Sequence, residues 1–141
     1  MNSDINRTSY KRAELPPISL NENDLERLRN LADAASDKFP RTAEFLAREV
    51  ERANILDPLK VLPGLVVMGA DVTFRDDVTG KIRRVTLVYP HEADIDANKI
   101  SVLTPIGAAL IGLSVSQSIE WQTQTGHWRS LTVLDVHQPG A

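Results

Sequence analysis

Val66-Val67-Met68-Gly69-Ala70-Asp71-Val72-Thr73-Phe74 and Ile82-Arg83-Arg84-Val85-Thr86-Leu87-Val88-Tyr89 are two runs rich in β-branched and aromatic residues, and Asp76-Asp77-Val78-Thr79-Gly80 lies between them. The runs predict two strands over 66–74 and 82–89, and the intervening residues a hairpin loop in which Gly80 is free to take positive φ. Working downstream, residues 90–98 read as an acidic loop and 99–103 as a third strand. Residues 105–110 read as a short helix opened by Pro105 and closed by Gly112. Residues 118–123 and 130–137 read as two more strands around Gln124-Thr125-Gly126. The whole predicts a mostly antiparallel sheet with one short helix over 66–141.

Upstream the period changes. Leu25, Leu28, Leu31, Ala32 and Ala35 recur at helical spacing, and so do Ala43, Leu46, Ala47, Val50 and Ala53, with Phe45 beside them. Pro40 suits the first turn of the second helix. Ser19 with Glu22, or Asn23 with Glu26, offers a capping box for the first, and both options stand. The connection over 36–39 is short enough to make the helices antiparallel neighbours. Between 19 and 55 eight acids face six bases, a balanced and solvated surface. Leu56-Asp57-Pro58 stops the second helix, because a residue before proline is pushed out of the helical region. The expected layout is a flexible segment over 1–17, a helical hairpin over 18–57, a linker over 58–65 and a sheet domain over 66–141.

The 141 residues are 42% hydrophobic and 25% charged, the proportions of an ordinary globular chain. There is no cysteine, which excludes disulfides, thiolate metal sites and a cysteine nucleophile. A net charge of −3 argues against tight autonomous binding to DNA or an anionic membrane. No apolar run reaches the roughly 18 residues of a membrane span, and Met1-Asn2-Ser3-Asp4 opens no apolar h-region, so no signal peptide is expected.

Motifs that carry chemistry are few. His91, His127 and His137 form no H-E-x-x-H or H-x-H pair, so no metal site is expected. Asp94-Ile95-Asp96-Ala97-Asn98 opens like a calcium loop, but Lys99 stands where glycine is needed and Pro105 where the bidentate glutamate should be. No phosphate-cradling glycine loop and no G-x-S-x-G elbow occurs. Asp76-Asp77 is the one paired carboxylate, and at a hairpin tip such a pair is expected to cap the turn and meet water. Trp121 and Trp128 read as packing residues. Catalytic, metal and cofactor-binding residues are therefore expected to be absent.

Lys99-Ile100-Ser101-Val102-Leu103-Thr104-Pro105-Ile106-Gly107-Ala108-Ala109-Leu110-Ile111-Gly112 resembles the signature of the Gre transcription factors, approximately K-I-S-x-x-S-P-x-G-x-A-L-L-G. Eight positions are identical, and Thr104 and Ile111 are conservative replacements. Val72-Thr73-Phe74, Thr79-Gly80 and Arg84-Val85-Thr86-Leu87-Val88-Tyr89-Pro90 also fit that family. The last phrase resembles its short branch, the regulators of nucleoside diphosphate kinase. Where the family usually carries Gly-Asp after the signature, this chain has Ser116-Gln117.

The resemblance implies an α+β fold: a short antiparallel helical hairpin plus an FKBP-like antiparallel β-sheet domain with one short helix. It implies RNA polymerase as partner, with docking at the rim of the secondary channel through Leu103, Thr104, Pro105, Ile106 and Gly107. In the family a long coiled-coil arm carries an acidic tip that helps hold a catalytic magnesium. Here Asp33 and Asp37 fall near the tip, but helices of roughly 14 residues give an arm of about 21 Å. Carboxylates hold a metal only at coordination distance, so transcript cleavage is not expected to carry over. The expectation is a cytoplasmic, monomeric, non-catalytic elongation factor, with no cofactor and with DNA nearby only inside the transcription complex. Regulation of nucleoside diphosphate kinase and transcript cleavage are the alternatives.

Overall fold

The computed structural model describes residues 15–57, 60, 62–123 and 125–139. Most of the predicted flexible segment, three positions of the linker and Gln124 therefore lie outside the described residues.

The chain enters through a short strand β1 (Ser19–Asn21), then α1 (Glu22–Ala34), α2 (Pro40–Arg52) and a second short strand β2 (Asn54–Leu56). α1 starts where Asn21 caps it: the Asn21 side-chain oxygen accepts the Asp24 amide at 2.8 Å. That satisfies one of the orphan donors of a first turn. The cap thus falls at Asn21 and at neither of the two predicted boxes. Pro40 opens α2 as expected. The two helices bury one face against each other, with Leu25, Leu28 and Ala32 on α1 and Ala43, Leu46 and Val50 on α2. Leu31 and Phe45 pack only partly.

The second helix ends earlier than its sequence suggests. Ala53 is already extended, and Asn54, Ile55 and Leu56 pair in parallel with Ser19, Leu20 and Asn21. A three-residue strand carries too little periodicity to be seen, and its partner lies about 35 positions upstream. One residue of the supposedly solvated helical surface is also misplaced. Glu49 is buried, 1% exposed, and is held by Arg52 through two bonds of 2.6 and 2.8 Å. The Arg52 guanidinium also donates to the Pro16 carbonyl. A buried carboxylate is tolerated only with such pairing.

Among the described residues the main sheet has five strands in the order β5-β4-β3-β7-β6, with β3 (Asp71–Asp76), β4 (Ile82–Val88), β5 (Lys99–Ser101), β6 (Ser118–Gln122) and β7 (Trp128–His137). Three of its four pairings are antiparallel, while β4 and β5 run parallel. The expected first strand begins late. Val66, Met68 and Ala70 are buried and Val67 partly so, but Val66 bonds to Leu113 and Gly112 in place of a ladder partner. β-Branched content reports burial as much as strand pairing. Between β5 and β6 comes α3 (Pro105–Leu110), fully buried from Gly107 onward.

Val72, Phe74, Val85, Leu87, Ile119, Leu131 and Val133 form the inner face of the sheet. They belong to one continuous apolar cluster with α3 and with the hairpin residues Ile18, Leu20, Leu25, Leu28, Leu46 and Val50. The arm is therefore rooted in the same core as the sheet, with α2 against α3. Gly112 makes this contact possible. Its φ is +82°, and a Cβ there would meet Ile18 at 3.0 Å, while its carbonyl accepts the Ser19 amide. Among the described residues no helix is long and apolar enough to cross a membrane.

Candidate docking site

Because β4 and β5 are parallel, the segments that follow them leave the sheet at the same end. Val102 continues the pairing by donating to the Val88 carbonyl at 2.9 Å. The chain then turns into α3 through a compact hydrogen-bonded corner. The Ser101 hydroxyl accepts the Leu103 amide at 2.9 Å, and the Ser101 carbonyl receives both the Thr104 amide and the Thr104 hydroxyl. The Thr104 hydroxyl in turn accepts the Gly107 amide at 3.1 Å, which makes Thr104 the N-cap of α3. Pro105 occupies the first helical turn, where its missing N–H costs nothing.

Gly107 is required by space and not by φ. A Cβ at that position would lie 2.2 Å from the Ser101 carbonyl oxygen and 2.9 Å from the Val102 Cα. Of the five candidate residues Pro105 is exposed, Leu103, Thr104 and Ile106 are half-buried, and Gly107 is buried. The corner is thus closely hydrogen-bonded, with Pro105 exposed and Gly107 packed tightly beneath it.

Asp33 and Asp37 are both exposed, at the other end of the arm from the root that packs on α3. The structure does not bring them to the docking corner. Among the described residues there is no group of three or more histidines, cysteines or acids placed to hold a metal ion.

Asp76 caps the turn, and both Asp76 and Asp77 pair with protein side chains. Asp76 accepts the amides of Val78 and Thr79 and pairs with Arg129. Asp77 accepts Arg75, Ser130 and Thr132. Burial pushes both carboxyl groups up, yet these donors outweigh it and hold them below the usual range. They lock the β3–β4 turn to β7.

A cluster at the arm–sheet junction escapes sequence reasoning. The Asp24 carboxylate reaches the Met68 amide at 3.3 Å and the Tyr89 hydroxyl at 3.5 Å, and the Arg27 guanidinium lies 4.0 Å above the Tyr89 ring. No spacing rule links positions 24, 27, 68 and 89, and Asp24 reads as one more solvated acid. Burial raises the Asp24 pKa, its hydrogen bonds only partly opposing. Burial, with help from the Asp24 charge, pushes Tyr89 up to about 12. Tyr89 therefore stays neutral in the fold above the pH where an unfolded tyrosine ionises. Its contribution to stability is whole below about pH 10 and lost as pH rises to about 12. Urea midpoints at pH 9 and pH 11.5 should fall more steeply for the parent than for Tyr89→Phe; equal slopes would remove Tyr89 from this account.

The Ser116-Gln117 departure leaves the turn intact. Ser116 takes φ +78°, a conformation that glycine adopts freely and serine does not. Gln117 secures the corner, its side chain accepting the Ser114 amide and donating to the Pro17 carbonyl.

A short helical hairpin rooted on a curled mixed sheet, with a capped Ser-x-x-Thr-Pro corner, is the architecture of a Gre-type transcription factor. Residues 62–138 match the family described as transcription elongation factor GreA/GreB, C-terminal, and residues 16–56 match the Rnk N-terminus. The chain belongs to the GreA/GreB family and carries the amino-terminal part of its Rnk branch. It is 35% identical over 127 residues to the regulator of nucleoside diphosphate kinase of Escherichia coli K12, covering 89% of this chain and 93% of that protein. It is 34% identical over 91 residues to the transcription elongation factor GreA of Syntrophobacter fumaroxidans, covering 64% of this chain and 58% of that protein. Among solved structures, a GreA/GreB elongation factor from Nitrosomonas europaea superposes with a TM-score of 0.66 at 35% identity, over 86% of this chain and 98% of that one.

Proposed function

We propose that this chain is a non-catalytic RNA polymerase-binding factor that modulates transcription elongation by docking at the rim of the secondary channel. The observation that carries the reading is the rigid corner from Ser101 to Gly107, which coincides with the Gre signature and presents Pro105 to solvent. A preformed projection lowers the ordering cost of association. Leu103, Thr104 and Ile106 flank the contact, and Gly107 shapes it. Each helix of the arm has 13 residues, about 20 Å at 1.5 Å per residue, which supports occupancy and not delivery of Asp33 and Asp37 to a catalytic metal. The proposed division is hairpin 18–57, linker 58–65 and docking domain 66–141. The factor acts in the cytoplasm as a monomer and meets DNA only within the transcription complex.

A second reading, regulation of nucleoside diphosphate kinase, is favoured by the name of the Escherichia coli relative. Co-purification separates the two: core polymerase, or the kinase, is the species retained.

Thr104 is a poor site for a disruptive test, because losing a cap itself costs about 1 kcal/mol. Pro105→Arg places charge and bulk on the crest without removing a hydrogen bond. It is expected to weaken competition with a Gre factor for core polymerase at least tenfold, about 1.4 kcal/mol. Val78→Arg, at a 62% exposed position in the β3–β4 turn, should compete like the parent. Asp33→Asn with Asp37→Asn should also compete like the parent. Equal affinities for Pro105→Arg and the parent would remove the corner from the interface. Release of short 3′ RNA fragments from backtracked complexes with magnesium would overturn the non-catalytic reading.

A further inference from the structure

We propose that Asp24 is a positioning residue for partner binding, its carboxylate holding the helical hairpin at one angle on the sheet body. Its role in binding rests on the function proposed above. Three segments meet at this carboxylate. From the start of α1, the Asn21 side-chain amide donates to Oδ2 at 3.2 Å, while the Asn21 oxygen accepts the Asp24 amide. From the body, the Met68 amide donates to the same Oδ2 at 3.3 Å, and the Tyr89 hydroxyl donates to Oδ1 at 3.5 Å. Met68 lies in a tight turn over 67–70, closed by the Ala70 amide on the Val67 carbonyl, with Gly69 at φ +85°. Such a turn leaves the amide of its second residue without a partner inside the turn, and Asp24 supplies that partner from the arm. Tyr89 follows Val88, whose carbonyl accepts the Val102 amide. Asp24 thus ties the arm to the end of β4, beside the strand from which the Pro105 corner leaves the sheet.

The other helix of the arm meets the body differently. α2 packs on α3 through apolar side chains, and apolar burial is not directional. Hydrogen bonds are directional. The bonds of Asp24, on α1, therefore select one of the angles that the α2–α3 contact tolerates, and a partner touching both arm and corner meets them preset. The carboxylate does not earn this place by stabilising the fold. Burial raises its pKa above the usual carboxylate value, and the bonds from Met68, Asn21 and Tyr89 and the charge of Arg27 only partly oppose this. The charged and titratable groups acting on the cluster are Arg27 from α1, and Tyr89 and Glu92 from the turn after β4. A raised native pKa means that the folded chain holds this proton more tightly than the unfolded one. The corresponding stability is present at low pH and is lost as pH rises through the native value. At neutral pH the ionised Asp24 therefore weakens the fold, which points to a role other than stability.

The test uses the full chain, which has no cysteine of its own. Lys38→Cys at the exposed end of the arm and Val78→Cys in the β3–β4 turn accept one pair of spin labels. Asp24→Asn leaves one acceptor oxygen for the three donors, and Asp24→Ala leaves none. The distance distribution between the labels should be about twice as wide in Asp24→Ala as in the parent, and also wider in Asp24→Asn. Without labels, both variants should compete for core RNA polymerase about fivefold less well than the parent. Asp24→Asn should nevertheless melt at the same temperature as the parent or higher, which a merely structural residue would not allow. Glu26→Asn, which removes the same charge from an exposed position of the same helix, should change none of the three readings. An unchanged distribution in Asp24→Ala would overturn the proposal. So would a wider distribution with undiminished competition, or a melting temperature of Asp24→Asn that falls in step with its binding. Absence of polymerase binding by the parent would instead bring down the function on which the binding role rests, with the distance measurement still deciding whether Asp24 fixes the arm.

Discussion

Leu28→Asp should unfold the whole protein, not only its arm. Leu28 is fully buried, at 0% exposure, in the seam between the two helices. An aspartate there loses the apolar burial of leucine and places a carboxylate with no partner in the seam, a cost of about 4 kcal/mol or more. Against a typical total of roughly 5–15 kcal/mol, that is a large share. The seam is continuous with the inner face of the sheet through Leu20, Ile18 and α3, so the strand and helix signals are expected to disappear together on heating, at a midpoint lower by 10 °C or more on the order-of-magnitude scale for this size. Arg29→Asp, one residue along on the exposed face, is the control and should change little. An unchanged melt for Leu28→Asp would place the seam elsewhere, and loss of helix signal with an intact sheet would show that the arm melts alone.

Gly107→Ala should have the largest local effect. The added Cβ would lie 2.2 Å from a backbone carbonyl oxygen, a contact no side-chain rotation can relieve. Either α3 moves away from Ser101 or the corner opens, and each course breaks the bond from the Gly107 amide to the Thr104 hydroxyl. Overpacking of this kind costs about 1–3 kcal/mol. The melt should therefore fall modestly, while binding to core polymerase falls tenfold or more, because the Pro105 crest is displaced. A variant that melts and binds like the parent would refute the spatial role given to Gly107.

Much of this architecture is legible in the residues, for reasons that differ by element. The arm helices show because Leu25, Leu28, Leu46 and Val50 recur at helical spacing and Pro40 marks a start. α3 shows because Pro105 and Gly112 punctuate it. The corner was assigned by its signature, and only the structure explains why Thr104 and Gly107 are the residues that signature requires. What was hidden depends on contacts distant in the chain. The β1–β2 pair joins positions about 35 apart. Glu49 looks like any surface acid until Arg52 and Pro16 close over it. The junction of Asp24 and Arg27 with Tyr89 needs α1 beside a turn some 60 residues later, and nothing in local spacing announces that meeting.

The parallel pairing of β1 with β2 has a consequence for how such arms vary. Neighbouring strands lie about 4.8 Å apart, and the chain leaves at Asn21, the end of β1, and returns at Asn54, opposite Ser19, at the two ends of one short two-stranded clasp. Whatever lies between those points is a cassette. Adding one heptad to each helix would lengthen the arm by about 10 Å without moving either attachment, and removing one would shorten it as simply. Reach thereby becomes a quantity that insertion and deletion can tune, while the clasp keeps the sheet body unchanged.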